Sequence, residues 1–234
     1  MRVVLPAYRE IDWVVRAYVH LHEKFWDAPV TLLAEADYSD GKFEFVSPPG
    51  DVCNSPPSGV IPSSSFSNVL LWYFQQIEDM HILIMLADYF IDKPVDVERL
   101  AQLEEYMEAH APILRGQVGD DGGYCSGHKI DTYKDIALWE GGFLPTSLTP
   151  GLWNRQQFLK IIPNGVDAWG TEIRGRNGFL AGGYRSIAPS PGILSYLNAI
   201  RGRDLTKICI TEEVYKEVTG YLRVKPTMFV QRGR

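Results

Sequence analysis

Apolar positions along this chain switch between continuous runs and helical spacing, and the switches mark its first elements. Val3 to Ala7 is a short apolar run ending at Pro6-Ala7-Tyr8, which predicts a buried strand. From Ile11 to Trp26 the positions Ile11, Val14, Val15, Tyr18, Val19, Leu21, His22 and Phe25 recur at helical spacing. Glu10 and Asp12 stand at the end of that helix where its dipole favours acids. Val30-Thr31-Leu32-Leu33-Ala34 predicts a second strand, which runs into the acidic residues Glu35, Asp37 and Asp40. Strand, helix and strand in succession argue for a parallel sheet covered by helices, and so for an α/β fold.

Farther along, residues 47–65 hold five prolines and many serines and predict a loop or flap. Ser67 is placed to cap a helix from Asn68 to Ile77, and Ile82 to Ala87 predicts a third buried strand followed by Asp88-Tyr89-Phe90-Ile91. Val95 to His110 is amphipathic, with Val97, Leu100, Leu103, Tyr106 and Met107 on one side of a helix. Ile113-Leu114-Arg115 predicts a short strand, Gly116 to Gly127 a turn or mobile loop, and Phe158–Ile162 and Pro191–Ile200 two short helices. No unit of about 20–50 residues repeats, which argues against a solenoid or propeller.

Composition narrows the class. The chain has 234 residues, 45% hydrophobic and 22% charged, enough to bury a core without disulfides or a structural metal. The longest clean apolar run, Ile82 to Ala87, falls far short of the roughly 20 residues that span a bilayer. No charged leader with a longer apolar segment opens the chain, so no secretory signal is expected. Cys53, Cys125 and Cys209 are odd in number and widely spaced, which points to a reducing compartment and a cytoplasmic protein, of the host cell if the chain is viral. The net charge of −6 is uneven: residues 1–117 carry 8 basic and 18 acidic side chains, whereas residues 118–234 carry 15 basic and 11 acidic. Such polarity suits an anionic ligand held near the C-terminal half, and equally a solvated basic face.

Three familiar ways of handling phosphate or acyl chemistry are absent. Pro6-Ala7-Tyr8-Arg9 follows the first strand where a dinucleotide fingerprint needs glycines, and the chain has neither a P-loop nor a Gly-x-Ser-x-Gly elbow. A carboxylate at the end of a buried strand offers another solution. Asp88 is so placed, where it can hold Mg²⁺ or Mn²⁺ against a nucleotide diphosphate or simply terminate the strand. Trp153 and Trp169, with the small residues between Ser147 and Gly151, can build a wall for a sugar, and Glu172 beside them is a candidate general base. On the plainer reading both tryptophans are core and Glu172 is exposed on a helix. Arg201-Gly202-Arg203 can grip a diphosphate or a nucleic-acid backbone, or simply complement a helix end. His20, His22, His81, His110 and His128 have no zinc-site spacing.

Four segments in order resemble a family of GT-A-type glycosyltransferases of bacteria and viruses. Val3-Val4-Leu5-Pro6-Ala7-Tyr8 is similar to that family's first strand and nucleotide loop, and Leu83-Ile84-Met85-Leu86-Ala87-Asp88-Tyr89-Phe90-Ile91 to its strand ending in Asp-Asp-Tyr-Phe-Leu. Ser147-Leu148-Thr149-Pro150-Gly151-Leu152-Trp153 with Trp169-Gly170-Thr171-Glu172 resembles Ser-Leu-Gln-Pro-x-x-Trp followed by Trp-Glu-Phe-Glu. Tyr196-Leu197-Asn198-Ala199-Ile200-Arg201-Gly202-Arg203 resembles the family's Tyr-x-Asn-Ala-Val-x-x-Gly-Lys-Trp. The chain departs from the pattern at Ala87, in place of a first Asp, at Gly151, in place of a bulkier residue, and at Arg203, in place of Lys-Trp.

The resemblance implies a central mixed Rossmann-type sheet flanked by helices, in a GT-A-like catalytic domain over 1–204 with a C-terminal extension over 205–234. It implies a nucleotide-sugar donor, a divalent metal (Mn²⁺ or Mg²⁺) at Asp88, and Glu172 as base. Donor contacts are then expected at Pro6, Ala7, Tyr8, Arg9, Asp37, Trp153, Trp169 and Arg203. The acceptor is expected to be a hydroxymethylated base in viral DNA, or else a cell-surface glycan or lipid-linked sugar. A nucleotidyltransferase and an inert sugar-nucleotide-binding protein are the competing classes. The first lacks its Gly-rich basic loop after strand one, and the second is kept open by Ala87.

Overall fold

The computed structural model describes residues 1–7, 11–52, 66–119, 125–141, 145–200, 208–223 and 225–230. It opens as the periodicity predicts, with β1 (Arg2–Pro6), α1 (Asp12–Phe25) and β2 (Val30–Leu33), followed by β3 (Glu44–Val46) and α2 (Phe66–Phe74). Next come β4 (His81–Ile84), β5 (Tyr89–Ile91), α3 (Val97–Ala109), β6 (Ile113–Gln117), β7 (Cys125–Tyr133), β8 (Ile136–Gly141) and β9 (Gly151–Asn154). The rest is α4 (Arg155–Ile161), α5 (Ala168–Ala181), β10 (Arg185–Ser190), β11 (Tyr196–Asn198), β12 (Cys209–Ile210), α6 (Glu212–Val218) and β13 (Met228–Phe229).

Nine strands form one mixed sheet in the order β3-β2-β1-β4-β9-β6-β10-β8-β7. β3, β2, β1 and β4 run parallel, β9 runs against both β4 and β6, and β6 and β10 are again parallel. Alternation along the central strands divides the core in two. Val3, Leu5, Leu32 and Leu83 face α1, α3 and α6, while Val4, Leu33, Ile82 and Ile84 face α2, α4 and α5. A sheet buried on both faces needs near-continuous apolar strands, and that is why those runs were easy to see in the sequence. Residues 208–223 pack on the first of these faces. Ile208, Ile210, Val214 and Val218 join its core, and Glu217 pairs with Lys24 of α1 at 2.6 Å.

Several expectations are corrected. The run from Ile82 stops pairing as β4 at Ile84; Leu86 then accepts from the Tyr89 N–H (3.0 Å) in a turn that leads into β5. Ser67 does not cap a helix: α2 already starts at Phe66, and the Ser67 hydroxyl accepts from the Val166 N–H at 3.1 Å. Pro191–Ile200 is not helical, because Tyr196–Asn198 finds an antiparallel partner in β5. Gly116 and Gln117 belong to β6 and residues 125–127 to β7, so only 120–124 of the loop expected there fall outside the described residues. Of the expected flap over 47–65, residues 53–65 also fall outside them.

Candidate functional site

β1 has β2 on one side and β4 on the other, all parallel, so the strand order reverses beside it. Ligands of open α/β sheets bind outside the carboxyl ends of the strands at such a switch point. Pro6 and Ala7 stand there, both buried, and the Ala7 N–H donates to the Leu33 carbonyl at 2.9 Å. Tyr8 and Arg9 lie outside the described residues, as does Arg203.

Asp88 sits in the turn between β4 and β5. Its own carbonyl accepts from the Ala199 N–H at 2.7 Å, beside the β5–β11 pair, so the backbone there is held from two sides. Among the described residues its half-buried carboxylate has no side-chain partner, and burial pushes its pKa up to about 6. The described residues contain no cluster of three or more His, Cys, Asp or Glu that would cage a metal. One carboxylate still fits a Mg²⁺- or Mn²⁺-type ion, because such ions are commonly held by one or two carboxylates together with substrate phosphates. A desolvated anion with no cationic side chain beside it among the described residues is the donor such an ion requires.

Glu35, which follows β2 at the same edge, is a second carboxylate of this kind. The Tyr38 hydroxyl donates to its Oε1 at 2.6 Å, while its Oε2 is buried without a partner among the described residues. Asp37, the acid expected to touch donor, is exposed and holds its own loop together. It accepts from the Ser39 N–H (2.8 Å), the Ser39 hydroxyl (2.6 Å) and the Gly41 N–H (2.9 Å), bonds that pull its pKa down against the opposing effect of desolvation.

The segment 145–150 leads into β9, whose first residue, Gly151, pairs with Ile84 of β4 and Gln117 of β6, the last residues of those strands. That places Ser147–Pro150 at the carboxyl edge as well. Glu172, in the first turns of α5, is fastened to it: Oε1 accepts from the Leu148 N–H (2.5 Å) and the Ser147 hydroxyl (3.2 Å). Its backbone carbonyl accepts from the Thr146 hydroxyl at 2.6 Å. Burial raises the Glu172 pKa, opposed by those bonds and by the positive charge of Arg115.

The two tryptophans do not make one wall. Trp153 is 0% exposed, edge-on to Phe158 at 5.2 Å with Arg115 over its ring, so it offers no face to a sugar. Trp169, 57% exposed at the start of α5, does.

In the sequence Arg115 is part of the predicted strand Ile113-Leu114-Arg115, and an arginine within an apolar strand is its only signal. It is 1% exposed, and a register shift in the β6–β10 ladder turns it to the same face as Leu114. Gly151 makes room for it, since a Cβ there would lie 2.7 Å from the Arg115 Nε, which accounts for the glycine where the resembled family is bulkier.

No protein-family model and no curated protein sequence matches the chain. Solved structures do. The chain is similar to a mycobacterial protein (TM-score 0.52, 13% identity, covering 97% of this chain and 76% of that one). It is similar to S. aureus TarS (TM-score 0.52, 13% identity, 83% of this chain), of which it spans only 36%. It also resembles glucosyl-3-phosphoglycerate synthase from Mycobacterium tuberculosis in complex with phosphoglyceric acid (TM-score 0.51, 13% identity, 97% and 81% covered). The fold is that of the GT-A glycosyltransferases. A structure of the same synthase contains Mn²⁺, uridine diphosphate and glucosyl-3-phosphoglycerate (TM-score 0.50, 13% identity). At such identity the likeness is one of GT-A fold, and the chemistry rests on this chain's own residues.

Proposed function

We propose that the chain is a nucleotide-sugar-dependent glycosyltransferase that moves a hexose or pentose to an acceptor hydroxyl. The observation that carries this reading is Asp88, a desolvated carboxylate with no side-chain partner among the described residues, at the switch point of a GT-A sheet. In this reading residues 1–204 form the catalytic unit and 205–234 an extension packed on it. A divalent ion on Asp88 would neutralise the departing nucleoside diphosphate. Pro6, Ala7 and the following Tyr8 and Arg9 border the donor, and the bare Oε2 of Glu35 accepts an N–H or O–H from its nucleoside. Glu172 Oε2 takes the acceptor hydroxyl's proton as its oxygen attacks the anomeric carbon from the side opposite the leaving diphosphate, which inverts the configuration. A carboxylate with raised proton affinity suits that role.

For the acceptor we favour DNA carrying a hydroxymethylated base, on the positive balance of residues 118–234 and the exposure of Arg174 and Arg185. Such binding weakens steeply with salt and requires the base to leave the duplex. A glycan or lipid-linked sugar is the second reading, favoured by the exposed face of Trp169.

The first test is thermal stability against a panel of nucleotide sugars with and without Mn²⁺, since a ligand that binds only the folded state raises Tm. One donor is expected to raise Tm, more with Mn²⁺, and the metal-dependent part should vanish in Asp88→Ala. No shift with any donor would sink the reading.

A further inference from the structure

We propose that Arg115 is a positioning residue for Glu172, acting through a relay of two hydroxyls that fixes which carboxylate oxygen meets the acceptor. Its kinetic consequence rests on the reading of Glu172 as base. The relay runs across one face of the sheet. Arg115 Nη2 donates to the Thr149 carbonyl at 3.0 Å and to Thr149 Oγ1 at 2.8 Å. Thr149 Oγ1 and Ser147 Oγ lie 3.4 Å apart, Ser147 Oγ also accepts from the Thr149 N–H at 3.3 Å, and it donates to Glu172 Oε1 at 3.2 Å. With the guanidinium donating at one end, each hydroxyl can accept from one neighbour and donate to the next, and the chain ends by donating to the carboxylate. That polarity favours the ionised form. It also engages Oε1, together with the Leu148 N–H, and none of these bonds goes to Oε2.

Three features of the sequence serve this geometry rather than packing alone. The bulge in β6 re-aims Arg115, Gly151 leaves space for its Nε, and the Trp153 ring supports its guanidinium at 5.4 Å. Of the other charges on elements packed around Glu172, several are exposed or bonded elsewhere. Arg155 of α4 donates to the Phe74 and Asp79 carbonyls, Lys160 of α4 is exposed, and α2 carries no charged residue. On α5 itself, Arg174 is exposed, the Asp167 carboxylate accepts from the Gly170 N–H, and Arg176 lies one turn beyond Glu172.

The test compares wild type with Thr149→Val, which keeps the shape and removes the relaying hydroxyl, and with Arg115→Lys. The Glu172 carboxyl ¹³C signal, assigned by its loss in Glu172→Gln, is titrated in the full chain without metal or donor. Thr149→Val should move that titration upward by about one pH unit, and the acid limb of kcat/KM with it. It should also lower kcat at pH 7 by roughly tenfold with little change in donor KM. Arg115→Lys keeps the charge without the fork and should fall between the two. An unchanged titration in Thr149→Val overturns the relay, whether or not an Arg115 variant folds. If Glu172→Gln turns over like wild type, the base reading falls instead, and the titration still decides the relay.

Discussion

The two ends of the same parallel strands are built differently. At the amino end, Arg2 of β1 meets Asp79 at 3.0 Å, the Tyr73 hydroxyl at 3.0 Å and Glu44 at 3.4 Å, while Thr31 donates to Glu44 at 2.8 Å. Arg2, Asp79 and Glu44 are thus all partnered there. At the carboxyl end, the Asp88 carboxylate and the Glu35 Oε2 have no side-chain partner among the described residues, although both are withdrawn from water. Burying an unpaired charge costs stability, whereas a paired one is tolerated. The chain therefore pairs Arg2, Asp79 and Glu44 at one end of the strands, and at the other end carries the two carboxylates that the proposed donor and its ion would complete.

The sharpest way to break this contrast is Asp88→Asn. Turnover should fall by on the order of a hundredfold or more, as when a group stabilising transition-state charge is removed. The metal-free protein should nevertheless gain stability at neutral pH. The folded pKa of about 6 lies above the ordinary 3.8, so the unfolded chain loses this proton first. Stability from this group is thus intact below about pH 4, declines as pH rises to about 6, and stays reduced above it, by roughly 3 kcal/mol at most. Thermal melts in a chelator from pH 4 to 8 should show that decline in wild type and lose it in Asp88→Asn. Added Mn²⁺ should offset it at the higher pH, where the carboxylate is ionised. Coincident pH curves for the two proteins would show that Asp88 is not a strained charge.

Glu35→Gln sharpens the comparison at the same end. Gln can still accept from Tyr38 but presents its neutral amide where Oε2 now waits. Donor affinity should fall by about tenfold with kcat nearly unchanged, read by calorimetry with the nucleotide sugar. An unaltered affinity would remove Glu35 from the donor site. The smallest effect belongs to the paired end. Asp79→Asn weakens a half-exposed ion pair, and should cost about 1 kcal/mol in chemical denaturation with no change in kcat. A larger loss of activity than of stability would mean that this end is not merely structural.

Some of this site was legible beforehand. An apolar run that stops at an acid is a local signal, and it led to Asp88. The first strand, first helix and second strand were equally local, since each buries a continuous face. The rest depended on distant partners. Tyr196–Asn198 became a strand because β5, over a hundred residues earlier, offered an edge. The helix α5 carries Gly170, Gly175 and Gly178, which weaken any helical signal. Two of them are there for contact: a Cβ at Gly178 would lie 2.9 Å from the Ile161 Cβ, and one at Gly175 would lie 3.1 Å from the Ile162 Cδ1. Trp153 and Trp169 looked alike in the sequence, yet one lies on a central strand and the other at an exposed helix start.

By itself the sequence determined the α/β class, the apolar strands and the acid that follows one of them. Each follows from the periodicity of a few consecutive residues and from the cost of leaving apolar surface in water. Only the tertiary structure decided which carboxylates stay bare. Asp37 spends its oxygens on its own loop, Glu35 keeps one free, and Glu172 is tied to a segment 24 residues away and, through two hydroxyls, to a buried arginine. The proton affinity and exposed oxygen of a carboxylate depend on the groups that surround it in space. Those groups come together only when the sheet is assembled.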